Sequence, residues 1–304
     1  MTNHLERMLL QLVFIWAVCG QGLSAYAADA GDGVDQPAAK AALLKAYPDL
    51  FTITGNTLTW TDGTTMVWDD GKERDASALL ESPDIEDMFH YIYPLTSAGD
   101  LVPADNFDPG RIRNEAFFKK LYGGSEAEVG KHIVHVKWLP KTKHGGTAVR
   151  ITKLFDIDGR LIMVSNALEA KQADLKYGLE PGGGFLWRCI AGTNQLSVHS
   201  FGAAFDINVG YSDYWYWNRP KTKARPLELK APGAGIPPSG GCPAGPRPDS
   251  VVTPEGHIPF KNRIPLAIVA LFERYGFIWG GRWYHYDTMH FEYRPELLLY
   301  KKPG

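Results

Sequence analysis

Four residues in the second half of the chain have types and spacings that could do chemistry. His199 stands seven positions before Asp206 in Ser197-Val-His199-Ser-Phe-Gly202-Ala-Ala-Phe-Asp206, and Asp287 stands three positions before His290 in Asp287-Thr-Met-His290. A catalytic zinc takes three protein ligands from histidine and carboxylate and keeps one position for water. His199, Asp206 and His290 could supply those three. Gly202 and the alanines after it let the chain turn tightly between the first two without side-chain clashes. Phe205 and Ile207 flank Asp206, so one carboxylate points inward from an otherwise apolar strand. A carboxylate buried without a partner is very costly, so this one is either ligated or paired with a core arginine. Asp287 is spaced to take a proton from water that zinc acidifies to a pKa of about 7, and to deliver it to a leaving amine. A cap or turn role is the other reading of Asp287.

The remaining histidines of the chain after residue 28 are His90, His132, His135, His144, His257 and His285. His132 and His135 flank a β-prone run, His90 lies on an expected helix and His257 in a loop, and none of these needs a special role. His285 is close to Asp287 and could support it.

These residues must be positioned by the elements around them. From about Gly182 a glycine-led entry (GGGFLWRCIAG) runs into the His199 motif, then DYWYWN. Residues 225–249 are dense in Pro and Gly and read as an irregular insertion. IPLAIVALFERYG reads as an apolar helix ended by Gly276. Upstream, AALLKAYPDLF suggests a short helix, and Asp62-Gly63 between two β-prone runs signals a hairpin. SPDIEDMFHYIYP reads as a helix with Ser82 as N-cap and Pro83 just inside. A helix is expected around 112–122, HIVHVKWLP and TAVRITKL alternate as strands, and VSNALEAKQADLKYG reads as a helix. No internal repeat or low-complexity tract is present.

The chain has 304 residues, 44% of them hydrophobic, enough for a sizeable core. Its formal net charge of -2, without a basic block, excludes the profile of a nucleic-acid binder. The first residues run from Arg7 through MLLQLVFIWAVC to Ala25-Tyr26-Ala27, the charged, apolar, small-residue order of a secretory signal peptide (1–27) cleaved after Ala27. The apolar run is too short to span a bilayer comfortably, and no later segment reads as transmembrane. The chain is therefore expected to be exported, periplasmic or secreted. Cleavage removes Cys19 and leaves Cys189 and Cys242. Two cysteines in an oxidising compartment suggest one disulfide closing about 50 residues, worth roughly 3–4 kcal/mol; two unpaired thiols are the alternative.

Together the two motifs carry a resemblance. Ser197-Val-His199-Ser-Phe-Gly202-Ala-Ala-Phe-Asp206 resembles the SxHxxGxAxD motif of the zinc peptidase family of D-alanyl-D-alanine carboxypeptidases and L-alanyl-D-glutamate endopeptidases. Trp279-Gly-Gly-Arg-Trp283, followed by Asp287-Thr-Met-His290-Phe-Glu292, resembles that family's WGGxW…DxxHF segment, and Phe185-Leu-Trp-Arg188-Cys-Ile-Ala-Gly192-Thr looks like its arginine-bearing segment. The resemblance covers about residues 182–296. It implies zinc held by His199, Asp206 and His290, Asp287 as the catalytic carboxylate, and Arg188 stabilising the oxyanion. Ser197 would line the site or orient a ligand. Trp279, Trp283 and Tyr284, with Trp215 and Trp217, could wall a substrate cleft or pack the core, and His285 could stand behind Asp287.

The implied fold class is α+β: a small antiparallel-sheet zinc peptidase domain with flanking helices (182–304), preceded by an N-terminal α/β extension packed on it (28–181). The implied substrate is the peptide stem of peptidoglycan, and both carboxypeptidase and endopeptidase action fit the motifs. A binding module that keeps fold and metal but not activity is the competing reading. Asp287 and Arg188 argue for the enzyme, because a binder has no use for an acid/base beside a metal.

Overall fold

The structure is a computed structural model describing residues 25–26, 33–99, 102–143, 145–190, 195–218, 242 and 258–301. The leader expected over 1–27 lies outside these residues apart from Ala25 and Tyr26; the insertion at 225–249 does so apart from Cys242. His144 and His257 also lie outside them. Among the described residues no helix is long and apolar enough to cross a membrane.

Ala25–Tyr26 (β1) pairs with Val102–Pro103 further along the chain. Helix α1 (Gln36–Ala46) starts where Asp35 accepts the amide of Ala38 at 2.8 Å, with Pro37 in its first turn. A three-stranded meander follows, β2 (Phe51–Thr54), β3 (Thr57–Trp60) and β4 (Thr65–Val67), with the Asp62-Gly63 turn between the last two. After α2 (Ala76–Glu81), the stretch expected as a helix from Ser82 forms only a 3-10 turn, Glu86–Phe89. Asp84 and Asp87 each accept the other's backbone amide at 2.9 Å, a closed capping box. The cap is thus Asp84 rather than Ser82. Met88, Phe89 and Tyr93 are buried in the core.

Next come β5 (Val102–Pro103), α3 (Glu115–Tyr122, capped by Asn114) and α4 (Glu126–Gly130). The strands β6 (Ile133–Trp138) and β7 (Thr147–Thr152) form the expected antiparallel pair. Helix α5 spans Ile157–Glu169 and so begins a full two turns before the expected Val164. Gly159, a breaker within a helix, sits in its first turn, where it costs little. The chain re-forms only as a 3-10 turn and the short α6 (Leu175–Gly178).

The sheet that carries the motif residues is antiparallel, in the order β8 (Ala204–Asp206), β10 (His290–Tyr293) and β9 (Phe277–Trp279). Helices α7 (Trp215–Asn218), α8 (Leu266–Arg274) and α9 (Pro295–Leu299) surround it. Its register pairs His290 with Asp206, Phe291 with Phe205 and Glu292 with Ala204. Side chains alternate faces along a strand, so the polar pair and the aromatic pair point to opposite sides. Phe291 stacks on Phe272 of α8 with centroids 3.8 Å apart, and Phe205 packs on Trp138 of β6 at 4.5 Å. Each fully buried phenylalanine contributes roughly 1.5–3 kcal/mol.

The fold is α+β, helices with small antiparallel sheets, as expected. Buried apolar side chains from both halves of the chain make one continuous cluster, running from Ala39 and Leu43 through Trp138 and Phe205 to Phe291 and Tyr300. Cys189 and Cys242 are joined by a disulfide. It ties the residue after Arg188 to Cys242 of the insertion. The double variant Cys189→Ser, Cys242→Ser is expected to lose roughly 3–4 kcal/mol of stability. Chemical denaturation without reductant measures this, and an unchanged midpoint would mean that the bond does not contribute.

Candidate metal centre

His199 sits on a one-turn 3-10 helix, Val198–Phe201. Ser197 caps it, its hydroxyl accepting the His199 amide at 3.4 Å. Gly202 ends it at φ 64°, and a Cβ there would lie 2.5 Å from Ile133 and 3.0 Å from the Thr152 amide. Only glycine fits both the left-handed backbone and that approach. The turn delivers His199 beside the sheet face that bears Asp206 and His290.

Three atoms then converge. His199 Nε2 lies 3.2 Å from Asp206 Oδ1 and 3.2 Å from His290 Nδ1, and His290 Nδ1 lies 3.1 Å from Asp206 Oδ1. The outer nitrogens of both rings are engaged. His199 Nδ1 faces the carbonyl of Gly184 at 2.7 Å, and a carbonyl only accepts, so Nδ1 carries the proton and Nε2 presents a lone pair. His290 Nε2 donates to Glu292 Oε2 at 3.0 Å, which turns Nδ1 inward. Two lone pairs and a carboxylate oxygen thus share one point, and that point demands a positive charge: a proton on His290 Nδ1 or a metal ion.

The residues fit a metal. A tetrahedral zinc with ligands at about 2.0 Å has edges of about 3.3 Å between ligand atoms, close to the three distances here. Nitrogen, nitrogen and carboxylate oxygen suit zinc. Histidine ligands whose second nitrogen donates to a carbonyl or carboxylate are the usual supporting arrangement. Burial works against ionisation of Asp206, yet His199 and His290 hold its carboxyl well below the ordinary range. Burial likewise pulls His290 down, but hydrogen bonds to Asp206 and Glu292 outweigh it and raise the ring to about 9. A proton therefore competes with a metal for Nδ1, and metal affinity weakens as pH falls.

Asp287 is partly buried at the edge of this centre. Its Oδ1 is buried with no hydrogen-bond partner among the described residues. Burial, then the negative charge of Asp206, push its carboxyl up to about 6. The backbone of Asp287 bridges to Tyr214. Burial also raises the Tyr214 phenol, and the charges it feels are those of Arg111, Asp287 and Arg188. The cation whose charge bears on Asp287 itself is Arg111. The backbone of Arg188 clamps the ligand turn, the amide donating to Ser200 Oγ at 2.9 Å and the carbonyl accepting from the Ser197 amide at 2.9 Å. Its side chain lines a cleft of about 260 Å3 with Arg150, Gly184, His199 and Asp206.

The aromatic residues expected near substrate are mostly enclosed. Trp279 is 1% exposed and donates from Nε1 to the Thr288 carbonyl at 2.9 Å. Trp283 packs on the His290 ring at 5.5 Å, with the Arg111 guanidinium over it at 5.5 Å. Tyr284 and Trp215 are buried beside His285, and Trp217 is exposed. His285 Nδ1 donates to Asp108 Oδ2 at 2.7 Å, and burial of Asp108 is outweighed by that histidine, which keeps its carboxyl below the ordinary value.

Sequence reasoning gave no role to Glu292, Asp108, Arg111, Arg113 or the Gly184 carbonyl. Glu292 was findable: on a strand it shares a face with His290 two residues earlier. The others come from loops whose place in space no local pattern encodes.

Residues 191–293 match the D-alanyl-D-alanine carboxypeptidase family. No curated protein and no solved structure matches the chain. The carboxypeptidase-family segment contains His199, Asp206, Asp287, His290 and Glu292. Arg188 lies three residues before it, and Asp108, Arg111 and Arg113 lie well outside. The match supports a peptidase, and the His-Asp-His triad is a group that could hold a metal ion.

The unaltered chain is expected to carry about one metal ion, and His199→Ala to abolish that stoichiometric metal in the purified protein. Elemental analysis reads both, and equal metal content in the two proteins would overturn the ligand set.

Proposed function

We propose that the protein is an exported zinc peptidase that hydrolyses peptide bonds in the stem peptide of peptidoglycan. The observation that carries this reading is the convergence of His199 Nε2, Asp206 Oδ1 and His290 Nδ1 within 3.2 Å of one another beside the unpartnered buried oxygen of Asp287. His199, Asp206 and His290 would hold the ion. When bound, zinc supplies Lewis-acid chemistry, polarising a carbonyl and lowering the pKa of water to about 7.

The chain's own residues account for the rest. Asp287 takes the proton of the attacking water as the carbon–oxygen bond forms. As the carbon–nitrogen bond breaks, it passes that proton to the departing amine. Its pKa near 6 suits a group that must both accept and return a proton close to neutral pH. Arg188 supplies a fixed positive charge where the oxyanion develops. Gly184 and Glu292 hold the two imidazoles in the tautomers that ligation needs, and Trp283 packs against one side of the His290 ring.

Two further features support a wall substrate. The family match is to a carboxypeptidase of D-alanyl-D-alanine, the terminus of such stems. The disulfide suits an oxidising compartment, in keeping with the leader-like N-terminus. Asp287 also favours an enzyme over a metal-bearing binding module, because a buried carboxylate oxygen without a hydrogen-bond partner is costly and a pure binder gains nothing from it.

Digestion of purified muropeptides, with and without chelator, followed by mass spectrometry, tests the reading and identifies the bond cut; no chelator-sensitive cleavage of any stem would overturn it. Asp287→Ala is expected to keep its zinc and lose hydrolysis by at least about 100-fold, the lower end for a general base. Full activity in that variant would sink the mechanism. Asp287 must be ionised to accept a proton, so kcat/KM is expected to fall as pH drops below about 6. A rate that stays flat down to pH 4.5 would exclude Asp287 as the base.

A further inference from the structure

His290 is held from behind by a chain of buried charges that leaves the carboxypeptidase-family segment. Glu292 Oε2 accepts from His290 Nε2 at 3.0 Å and faces Arg113 Nη1 at 3.4 Å. Glu292 Oε1 faces Arg294 Nη1 at 3.2 Å. Arg113 and Arg294 both donate to the carbonyl of Gly110, at 3.1 and 2.8 Å. Arg294 continues to Glu296, which accepts from the Tyr47 hydroxyl at 3.0 Å. Glu292, Arg294 and Glu296 are all 0% exposed and Arg113 is 7% exposed. Two carboxylates meet two guanidiniums, so the set is balanced and loses that balance when any one of the four is removed.

Residues 110–113 reach this place closely. Gly110 adopts φ 96°, and a Cβ there would lie 2.3 Å from Ile278 and 3.6 Å from Glu292 Oε1. The backbone of the N-terminal half therefore lies against the sheet that bears the metal ligands.

We propose that Arg113 is a positioning residue for the metal centre, acting through Glu292 to hold the His290 ring with Nδ1 turned to the ion. The proposal rests on the metal-centre reading above. Arg294 faces Glu292 Oε1 and is shared with Glu296, whereas Arg113 faces Oε2, the oxygen that accepts from His290. Without Arg113, two buried carboxylates face one guanidinium, and a surplus buried charge is strongly unfavourable. Glu292 Oε2 is then no longer held between Arg113 and His290, and the His290 ring loses the acceptor that fixes its orientation and tautomer. Loss of such a partner typically weakens metal affinity 10–100-fold.

The test uses the full chain and zinc alone. Zinc dissociation constants are measured by competition with a chromophoric chelator for the unaltered protein, Arg113→Met, Arg113→Lys, Glu292→Gln and the Arg113→Met, Glu292→Gln double variant. Thermal melts of the metal-free proteins run in parallel. Arg113→Met is expected to weaken zinc about 10–100-fold, Arg113→Lys to recover most of that loss, and Glu292→Gln to weaken zinc by a similar factor. In the Glu292→Gln background Arg113→Met should add less than about 3-fold, because both act through one contact. A lower melting temperature with unchanged zinc affinity in Arg113→Met would make its role merely structural and overturn the proposal, as would full additivity in the double variant. If Arg113→Met does not fold, Glu292→Gln decides: unchanged affinity there overturns the proposal. An unaltered protein that binds no zinc would instead overturn the metal-centre reading itself.

Discussion

Three electron-donating atoms held at 3.1–3.2 Å from one another are the constraint on which the rest of this structure depends. Such an arrangement is repulsive unless a positive charge occupies its centre. The fold spends several independent devices to keep it. The antiparallel register sets His290 opposite Asp206, the capped turn after Ser197 brings His199 to the same face, and Gly184 and Glu292 engage the outward nitrogens. The aromatic pair on the other face, Phe205 and Phe291, anchors the same two strands in the core. Binding and stability are thus coupled through one register: a slip by a single residue would put Phe291 into the centre and His290 into the core.

The N-terminal half is part of this device. Its residues share the hydrophobic cluster with the family-matched segment, and Asp108, Arg111 and Arg113 come from one six-residue stretch to meet His285, Trp283 and Glu292. Buried charges need partners more than apolar groups do, because desolvation of an unpaired ion is costly. The carboxylate behind His290 therefore imposes a requirement on the rest of the chain, and residues 110–113 meet it.

The charges around Asp287 are arranged with a polarity suited to hydrolysis. Burial and Asp206 disfavour its ionised form, while Arg111 and the two histidines favour it, and the balance lies near neutrality. Arg188 stands next to the disulfide-bonded Cys189 and lines the cleft that His199 and Asp206 also line. On the proposed function, Asp287 as proton carrier and Arg188 as fixed cation would separate a hydrolytic site from a structural one.

The sequence by itself singled out His199, Asp206 and His290, which the fold brings together as a group that could hold a metal ion, and its family resemblance implied the α+β class, because the spacing within His199…Asp206 and Asp287…His290 is a local property. It also gave the Asp62-Gly63 turn and the β6–β7 pair. It misjudged the stretch after Ser82, where aspartate side chains cap a single turn and the aromatics turn inward. It misjudged the start of α5 too, where a glycine stands in the permissive first turn. Only the tertiary structure decided which nitrogen of each histidine faces the centre, that Trp279 is enclosed in the core, and that Arg113 balances Glu292. Those outcomes depend on contacts between residues far apart in the chain, 179 positions for Arg113 and Glu292, and no local pattern records which distant loop will arrive with the compensating charge.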